Sequence, residues 1–195
     1  MLNHIEKLIE RRVHERVPVA YLVNQAWFAG HKYYVDERVL IPRSPLAEII
    51  ASQFRPWLSS NNVHLILDIG TGSGCIACAC AYAFRHAVVD AVDVDVGAIE
   101  VANKNVLSHE LDGRVNIIES NLYEQLKGKR YDLIISNPPY VGNDEMQSLP
   151  QEYLQEPRHA LEAADNGLGL VEKILKQACN HLNENGVLVV EVGNS

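Results

Sequence analysis

The segment Ser136-Asn137-Pro138-Pro139-Tyr140 brings an amide side chain, two prolines and an aromatic ring together. Proline has no backbone N–H, so positions 138 and 139 offer carbonyl acceptors without the usual donors. The Asn137 side chain adds a carbonyl acceptor and an NH2 donor. Such a rigid cluster of acceptors beside a ring suits a planar NH2 group, for example a carboxamide or the exocyclic amine of a base. Taken alone, the same residues are equally typical of a plain turn after a strand.

The element that must position Asn137 is the apolar run Tyr131–Ile135, which predicts a short buried strand. A residue that precedes proline is pushed toward extended conformations. We therefore expect Asn137 at the C-terminal end of this strand, with a stiff and extended backbone beyond it.

A glycine-rich loop, Asp68-Ile69-Gly70-Thr71-Gly72-Ser73-Gly74, lies between a predicted strand and a predicted helix. Glycine lets the backbone approach a ligand closely and adopt positive φ, and the helix N-terminus adds N–H donors and partial positive charge. The dinucleotide fingerprint G-x-G-x-x-G requires glycine or alanine at position 75, where this chain has Cys75. An acid at position 68 would repel phosphates and suit an amino group. The loop therefore predicts a ligand with an amino-acid end and no phosphate, such as S-adenosylmethionine.

Two further polar positions lie at or just after the ends of predicted strands. Asp93 ends the second of these strands, and an acid there can accept hydrogen bonds from both hydroxyls of a ribose. Asp95 is a nearby alternative, although a solvated helix cap explains Asp95 as well. Asn121 and Leu122 follow the third strand, where an adenine could be recognised and enclosed.

From residue 63 onward, predicted strands and helices alternate with short loops, which indicates a parallel, doubly wound α/β sheet. In such a sheet ligands bind at the carboxyl ends of the strands, where all of the positions above are expected to meet. The predicted strands are Val63–Ile69, Val88–Val94, Arg114–Glu119, Leu133–Ser136 and Gly186–Val192, and the predicted helices are Cys75–Phe84, Val96–Leu107 and Leu168–Leu182.

The first 58 residues have a different character, so we divide the chain into an N-terminal segment, 1–58, and a catalytic domain, 59–195. Helical spacing of apolar residues predicts an amphipathic helix over residues 2–16. Residues 19–42 are rich in aromatic and β-branched residues and predict short β segments or a hairpin. Ser44 is expected to cap a helix that begins at Pro45 and runs to about Trp57.

Composition and charge exclude several classes of protein. The net charge is −8 and 47% of the residues are hydrophobic, so the chain can bury a core but has no general basic surface for nucleic acid. No apolar run approaches the roughly 20 residues of a membrane span, and the N-terminus has no signal-peptide pattern. We expect Cys75, Cys78 and Cys80 to be core residues in a reducing cytoplasm, and we predict no metal site. The eight histidines are expected at surface or structural positions.

Together these residues resemble the class I S-adenosylmethionine-dependent methyltransferases, which have a Rossmann-like α/β fold. Asp68–Gly74, Asp93 and Asn137–Tyr140 are similar to the HemK and PrmB type of protein N(5)-glutamine methyltransferases, and residues 29–35 and 39–45 are similar to the segment before that family's catalytic domain.

Two details are similar to the PrmB branch, which methylates a glutamine of large-subunit ribosomal protein L-three. They are Arg43-Ser44-Pro45, where the release-factor enzymes usually have R-P-E-T, and the segment Glu191–Ser195. The resemblance covers nearly the whole chain, but the family's N-terminal helical domain is mostly absent. The fold is expected to be truncated after its fifth strand and to be preceded by a short helix and a β-hairpin.

The resemblance implies roles for individual residues. The glycines would hold the methionine part of S-adenosylmethionine, with Asp68 near its amino group and Asp93 on the ribose. The implied cofactor-binding residues are Asp68, Gly70, Thr71, Gly72, Ser73, Gly74, Asp93, Asn121, Leu122 and Asn137. The implied catalytic residues are Asn137, Pro138, Pro139 and Tyr140, with the Asn137 side chain and the Pro138 carbonyl on the glutamine NH2 and the Tyr140 ring on its plane.

The predicted partner is a cytoplasmic protein substrate, a ribosomal protein met before or during ribosome assembly, with no sequence-specific nucleic acid and no membrane. Self-association through the exposed fifth strand is also predicted. The alternatives are a release-factor glutamine methyltransferase, a nucleic-acid adenine N6 methyltransferase, and a fragment that binds cofactor without turnover. The adenine enzyme would have to flip its base and usually carries a basic recognition region, which this chain lacks. A nicotinamide dehydrogenase is disfavoured by Cys75 and Asp68.

Overall fold

Short apolar runs separated by helices form a five-stranded sheet, as the sequence predicts. The protein is seen in a computed structural model that describes residues 2–142, 146, 148–162 and 168–193. The strands of the sheet are β3 (Leu65–Ile69), β4 (Val88–Asp93), β5 (Val115–Glu119), β6 (Tyr131–Ser136) and β7 (Leu182–Val190), which follow a separate hairpin of β1 (Ala26–Phe28) and β2 (His31–Tyr33).

All neighbouring strands of this sheet are parallel, in the order β5-β4-β3-β6-β7. The chain moves outward from β3 through β4 to β5, and β6 then pairs with the other side of β3. The strand order therefore reverses between β3 and β6, which is where open α/β sheets bind their ligands.

The helices cover both faces of the sheet because side chains alternate along each strand. In β6, Leu133 and Ile135 join the apolar cluster that includes Ile50, whereas Ile134 joins the opposite cluster with Ile174. The helices are α1 (Leu2–Glu10, continued by a π-helical turn, Arg11–Glu15), α2 (Val19–Val23), α3 (Leu46–Ala51), α4 (Cys75–Ala83), α5 (Val96–Ser108) and α6 (Gly169–His181), with short 3-10 helices at Ser60–Asn62, Tyr153–Gln155 and Arg158–Ala160.

The N-terminal segment is predicted correctly in part. The helix and the antiparallel hairpin are confirmed, but Val19–Val23 forms α2 instead of a β segment. Its five residues are too few to show a periodicity, and burial of Tyr21 fixes the local conformation. The boundary at 58/59 stays a prediction, although Phe54 before it and Ile66 after it belong to the same apolar cluster.

The helix predicted to begin at Pro45 begins one residue later, at Leu46, and ends early. The Leu46 N–H donates to Ser44 Oγ at 3.1 Å, and Pro45 has helical dihedral angles. The helix ends at Ala51 instead of running to about Trp57. Positive φ at Gln53 and Phe54 breaks the helix and brings Phe54, which is fully buried, into the core.

The cysteine prediction is confirmed for α4, in which Cys75, Cys78 and Cys80 are all buried core residues. Among the described residues, no group of three His, Cys, Asp or Glu side chains is placed to hold a metal ion. None of the described helices is long and apolar enough to cross a membrane.

Strand β7 lies at the edge of the sheet and is longer than predicted, since it begins at Leu182 directly after α6. Asn194 and Ser195 lie outside the described residues. Within the described part of the chain, β7 pairs with β6 on one side and its other side has no strand neighbour.

We predict that the 195-residue chain associates with itself through β7. An edge strand presents unpaired N–H and C=O groups, and β7 contains neither proline nor lysine to discourage pairing. Size-exclusion chromatography with light scattering should show a molar mass that rises with concentration, and hydrogen exchange at residues 186–190 should slow in parallel. A single molar mass of one chain at every concentration would contradict this prediction.

Candidate active site

An open cleft runs along the carboxyl ends of β3, β4, β5 and β6. Its volume is about 200 Å³. The loops after all four strands contribute to its wall, as expected for a doubly wound sheet. The predicted site residues that line it are Gly70, Thr71, Gly72, Ser73, Asp93, Asn121, Leu122, Asn137, Pro138 and Pro139. Gly74, Asp68 and Tyr140 are not among the lining residues.

The glycine loop has the backbone conformation for which glycine is required. Gly70, Gly72 and Gly74 have φ values of +71°, +54° and +78°, a region that other residues rarely adopt. A Cβ on Gly74 would also lie 3.3 Å from Ala102 in α5. Gly74 therefore acts on the site by letting α4 and α5 pack closely below the loop.

Asp68 lies beneath the loop and is fully buried. Its Oδ2 accepts a hydrogen bond from Thr71 Oγ1 at 2.6 Å and another from the Ala77 N–H at 3.1 Å. Its Oδ1 has no partner among the described residues. Burial raises the pKa of this carboxyl to about 7, so without a cationic neighbour the proton is held near neutral pH.

This raised pKa gives a prediction for the protein without cofactor. A carboxyl whose folded pKa exceeds its unfolded value favours folding when protonated, so its contribution to stability falls as pH rises from about 4 to about 7. Relative to Asp68→Asn, the free energy of unfolding of the wild type should fall over this interval, by about 4 kcal/mol at most. Urea unfolding at several pH values measures the difference. A difference independent of pH would show that Asp68 titrates normally.

Asp93 lies at the end of β4 on the wall of the cleft. Its Oδ2 accepts from the Gly72 N–H at 2.9 Å and its Oδ1 accepts from the Asp95 N–H at 3.0 Å. Burial raises the pKa of Asp93. The alternative acid, Asp95, instead caps α5 by accepting from the Ala98 N–H at 2.8 Å, and it does not line the cleft.

The turn after β5 forms the next part of the wall. Leu122 has φ of +51°, and Ser120 Oγ donates to the Leu122 carbonyl at 3.0 Å. Asn121 is exposed, and its Nδ2 donates to Glu124 Oε1 at 3.0 Å. Ser120 was missed by the sequence analysis, although its hydroxyl, which also accepts from the Gln125 N–H, fixes this turn.

Asn137 follows β6 as predicted, beside the glycine loop. Ser136 Oγ donates to the Ile69 carbonyl at 2.8 Å and so fastens the ends of β6 and β3 together. The Asn137 side chain makes no hydrogen bond within the part of the chain that the structure describes. Its acceptor and donor are therefore available to a ligand.

A second cavity opens on the other side of the same segment. Asn137, Pro138 and Pro139 line both the cleft and this cavity, so the two spaces share a wall. Tyr140 lines the second cavity but not the cleft. Three more residues, Leu40, Arg43 and Ala160, also line both spaces. The other residues around the second cavity are Pro45, Val141, Leu149, Pro150, Tyr153, Leu161 and Glu191.

Residues 38–45, which we call the strap, form a wall of the cleft that no local sequence pattern indicated. Its anchors are buried polar contacts from distant segments: Tyr21 OH donates to the Val39 carbonyl at 2.6 Å, and Glu156 accepts from the Ile41 N–H and from Arg43. Asn105 holds the segment before the strap against the glycine loop. Its Oδ1 accepts from the Tyr34 N–H, and its Nδ2 donates to the carbonyls of Tyr34 and of Ser73 in the loop.

Comparison with known proteins agrees with this architecture. The family model "Methyltransferase small domain" matches residues 51–166, which include the glycine loop and the segment after β6. The chain belongs to this family. A methyltransferase from Pyrococcus furiosus has the same fold, with a TM-score of 0.59 and 19% identity over 100% of this chain and 79% of that one. The prediction of a class I methyltransferase fold is confirmed.

Two curated relatives in the family are much more similar. The "Ribosomal protein uL3 glutamine methyltransferase" of Francisella tularensis is 46% identical over 100% of this chain and 64% of its own length. The protein of the same name from Xanthomonas campestris is 50% identical over 96% of this chain and 61% of its own length. The chain thus spans a little over three-fifths of the relatives that it matches.

Membership of the family implies S-adenosylmethionine as the cofactor, and the residues of the cleft fit it. The buried, unpartnered Asp68 Oδ1 suits an ammonium group under the loop. The open positive-φ loop leaves room for a ligand against the backbone, since a Cβ on Gly70 or Gly72 would meet no atom within 4 Å.

Proposed function

We propose that this protein transfers the methyl group of S-adenosylmethionine to the side-chain amide nitrogen of a glutamine in ribosomal protein uL3. The observation that carries the proposal is the wall shared by the two cavities. Asn137 and the two prolines separate a cleft suited to the cofactor from a second cavity open to a substrate side chain. A methyl group and a planar NH2 group can meet at this wall.

The cofactor is held by the first three strands of the chain's sheet. The glycine loop receives its amino-acid end, with Asp68 beneath the amino group, and Asp93 accepts from the ribose hydroxyls. Asn121 and Leu122 flank the adenine. When bound, S-adenosylmethionine supplies an electrophilic methyl group.

The residues after β6 bind the glutamine amide and make its nitrogen a better methyl acceptor. A carboxamide nitrogen is a poor nucleophile because its lone pair is delocalised, as the amide rotational barrier of about 18–20 kcal/mol shows. Asn137 Oδ1 and the Pro138 carbonyl accept hydrogen bonds from the two N–H groups of the glutamine amide. These contacts hold the nitrogen and favour its rehybridisation. Because positions 138 and 139 have no N–H, the segment offers the amide nitrogen acceptors without competing donors.

Tyr140 completes the acceptor site from the second cavity. Its ring packs on the plane of the glutamine amide and restricts rotation about the side-chain bonds. Positioning of reacting groups can supply roughly 7–11 kcal/mol of the barrier in favourable cases. The proton leaves after the nitrogen has gained the methyl group and its positive charge, so no strong base is needed at the start.

The choice of uL3 rests on the similarity to relatives that carry that name over most of this chain. Encounter with a ribosomal protein before or during ribosome assembly places the reaction in the cytoplasm. The chain that would bind this ribosomal protein has a net charge of −8.

Methyl transfer from radiolabelled S-adenosylmethionine tests the proposal directly. We expect label in purified uL3, and mass spectrometry should locate one added methyl on a glutamine. A peptide-release factor and adenine-containing DNA and RNA, offered separately, represent the alternative functions. Label in one of them but not in uL3 would replace the proposed substrate. Tight cofactor binding with no label in any acceptor would support a fragment that binds without turnover.

A further inference from the structure

Two segments that are far apart in the sequence meet in the structure. Ser44 lies in the strap and Glu191 follows β7, 147 residues later in the chain. Ser44 Oγ donates to Glu191 Oε2, and the same Oγ accepts the Leu46 N–H at the start of α3. The carboxylate therefore connects the strap to the end of the edge strand.

The other oxygen of Glu191 reaches the acceptor site. Tyr140 OH donates to Glu191 Oε1 at 3.2 Å. The residue two positions later, Gly193, lies against the ring, because a Cβ there would be 2.9 Å from Tyr140 Cδ2. The Tyr140 ring is thus held at its hydroxyl and on one side by the same short segment.

The Glu191 carboxylate accepts from two hydroxyls because the nearby arginine is paired with another carboxylate. The strap has two cations. Arg43 is paired with the buried Glu156 at 2.7 Å and lies over the Tyr153 ring. Arg38 is paired with Asp36 and Glu100. Each Glu191 oxygen therefore accepts from a neutral hydroxyl donor. Tyr140 lines the second cavity, and Ser44 lines the cleft.

We propose that Glu191 is a positioning residue for methyl transfer, which sets the Tyr140 ring against the acceptor amide and couples its orientation to the strap through Ser44. The inference rests on the proposed function, because Tyr140 matters for catalysis when an amide occupies the second cavity. A carboxylate is suited to the task, since it can accept from both hydroxyls at once, whereas a glutamine has one acceptor oxygen.

A double-mutant cycle tests the coupling. Glu191→Ala and Tyr140→Phe should each lower kcat/KM for uL3 by about tenfold, the scale of losing a hydrogen bond to a charged group. Because both changes break the same contact, Glu191→Ala should have less than about a twofold further effect in the Tyr140→Phe background. Glu191→Gln should recover part of the loss. Glu119→Ala, an exposed carboxylate at the end of β5 on the other edge of the sheet, is the matched control.

Several results would overturn the proposal. They are full activity of Glu191→Ala, equal losses from Glu191→Ala in both Tyr140 backgrounds, or a loss of cofactor affinity or thermal stability large enough to explain the lost activity. The expected pattern is a lower kcat with an unchanged dissociation constant for S-adenosylmethionine in calorimetry.

A second measurement keeps the inference separate from the identity of the substrate. In protein labelled with 13C-tyrosine, Tyr140→Phe identifies the Tyr140 signal. Glu191→Ala should shift that signal and lower the pKa of Tyr140, which burial and Glu191 raise above its ordinary value. An unchanged signal would refute the positioning role even if uL3 is methylated. A shifted signal with no methylation of uL3 would refute the proposed function alone.

Discussion

Asn137→Ala is expected to abolish methyl transfer while leaving cofactor binding nearly intact. The Asn137 side chain lies on the wall shared by the cleft and the second cavity, without a hydrogen-bond partner among the described residues. Its loss should therefore leave the fold undisturbed and remove an acceptor that acts when the amide is held for attack. An interaction made mainly in the transition state lowers kcat when it is removed and changes ground-state binding little.

Turnover with labelled cofactor and calorimetry of cofactor binding together check this result. The matched control is Asn62→Ala, an exposed asparagine in the 3-10 helix before β3, which should keep full activity. A mutant at position 137 with more than about a tenth of wild-type turnover has lost less than about 1.4 kcal/mol. Such a small loss would mean that Asn137 does not hold the acceptor.

Asp93→Ala is expected to weaken S-adenosylmethionine binding by about 1–3 kcal/mol, the cost of losing hydrogen bonds to a charged group. The effect has two parts in the structure. The carboxylate lines the cleft, where we propose that it accepts from the ribose, and it also accepts from the Gly72 N–H of the glycine loop at 2.9 Å. Removal of the side chain thus frees the loop as well as losing the ligand contact.

Calorimetry at fixed pH and salt measures the change, and Asp95→Ala provides the comparison. Asp95 caps α5, so its replacement should lower stability by about 0.5–2 kcal/mol and leave cofactor affinity unchanged. The reverse pattern, with affinity lost at position 95 and kept at position 93, would exchange the roles of the two acids.

Local sequence patterns were sufficient for much of the fold and for the positions on the cleft wall. Each predicted group that lines the cleft lies at the carboxyl end of a strand or shortly after it, and a parallel sheet brings the ends of its strands together. The glycine loop, Asp93 and Asn137 could therefore be placed from short apolar runs and the residues after them. The same logic predicts Asp68 near the ligand, whereas the structure places it fully buried beneath the loop, where it accepts from Thr71 and does not line the cleft.

Features that depend on distant contacts could not be predicted in this way. The strap has no regular secondary structure, and its position is set by Tyr21 and Glu156 from other parts of the chain. The early end of α3 follows from burial of Phe54, which outweighs the helical pattern. The contact between Ser44 and Glu191 joins residues 147 positions apart, so no local pattern in either segment indicates it.

The burial of three thiols in α4 has a practical consequence for measuring motion in this protein. Burial raises the pKa of Cys75 and Cys78 to about 12 and that of Cys80 well above its ordinary value, and thiolates are the reactive form. The fourth cysteine, Cys179, is exposed on α6. A thiol reagent should therefore consume one equivalent quickly and three slowly, at a rate set by local opening of α4. Since α4 begins where the glycine loop ends, a ligand bound on that loop should slow the second phase. The rate of this slow alkylation then reports how fast the ligand dissociates from the loop.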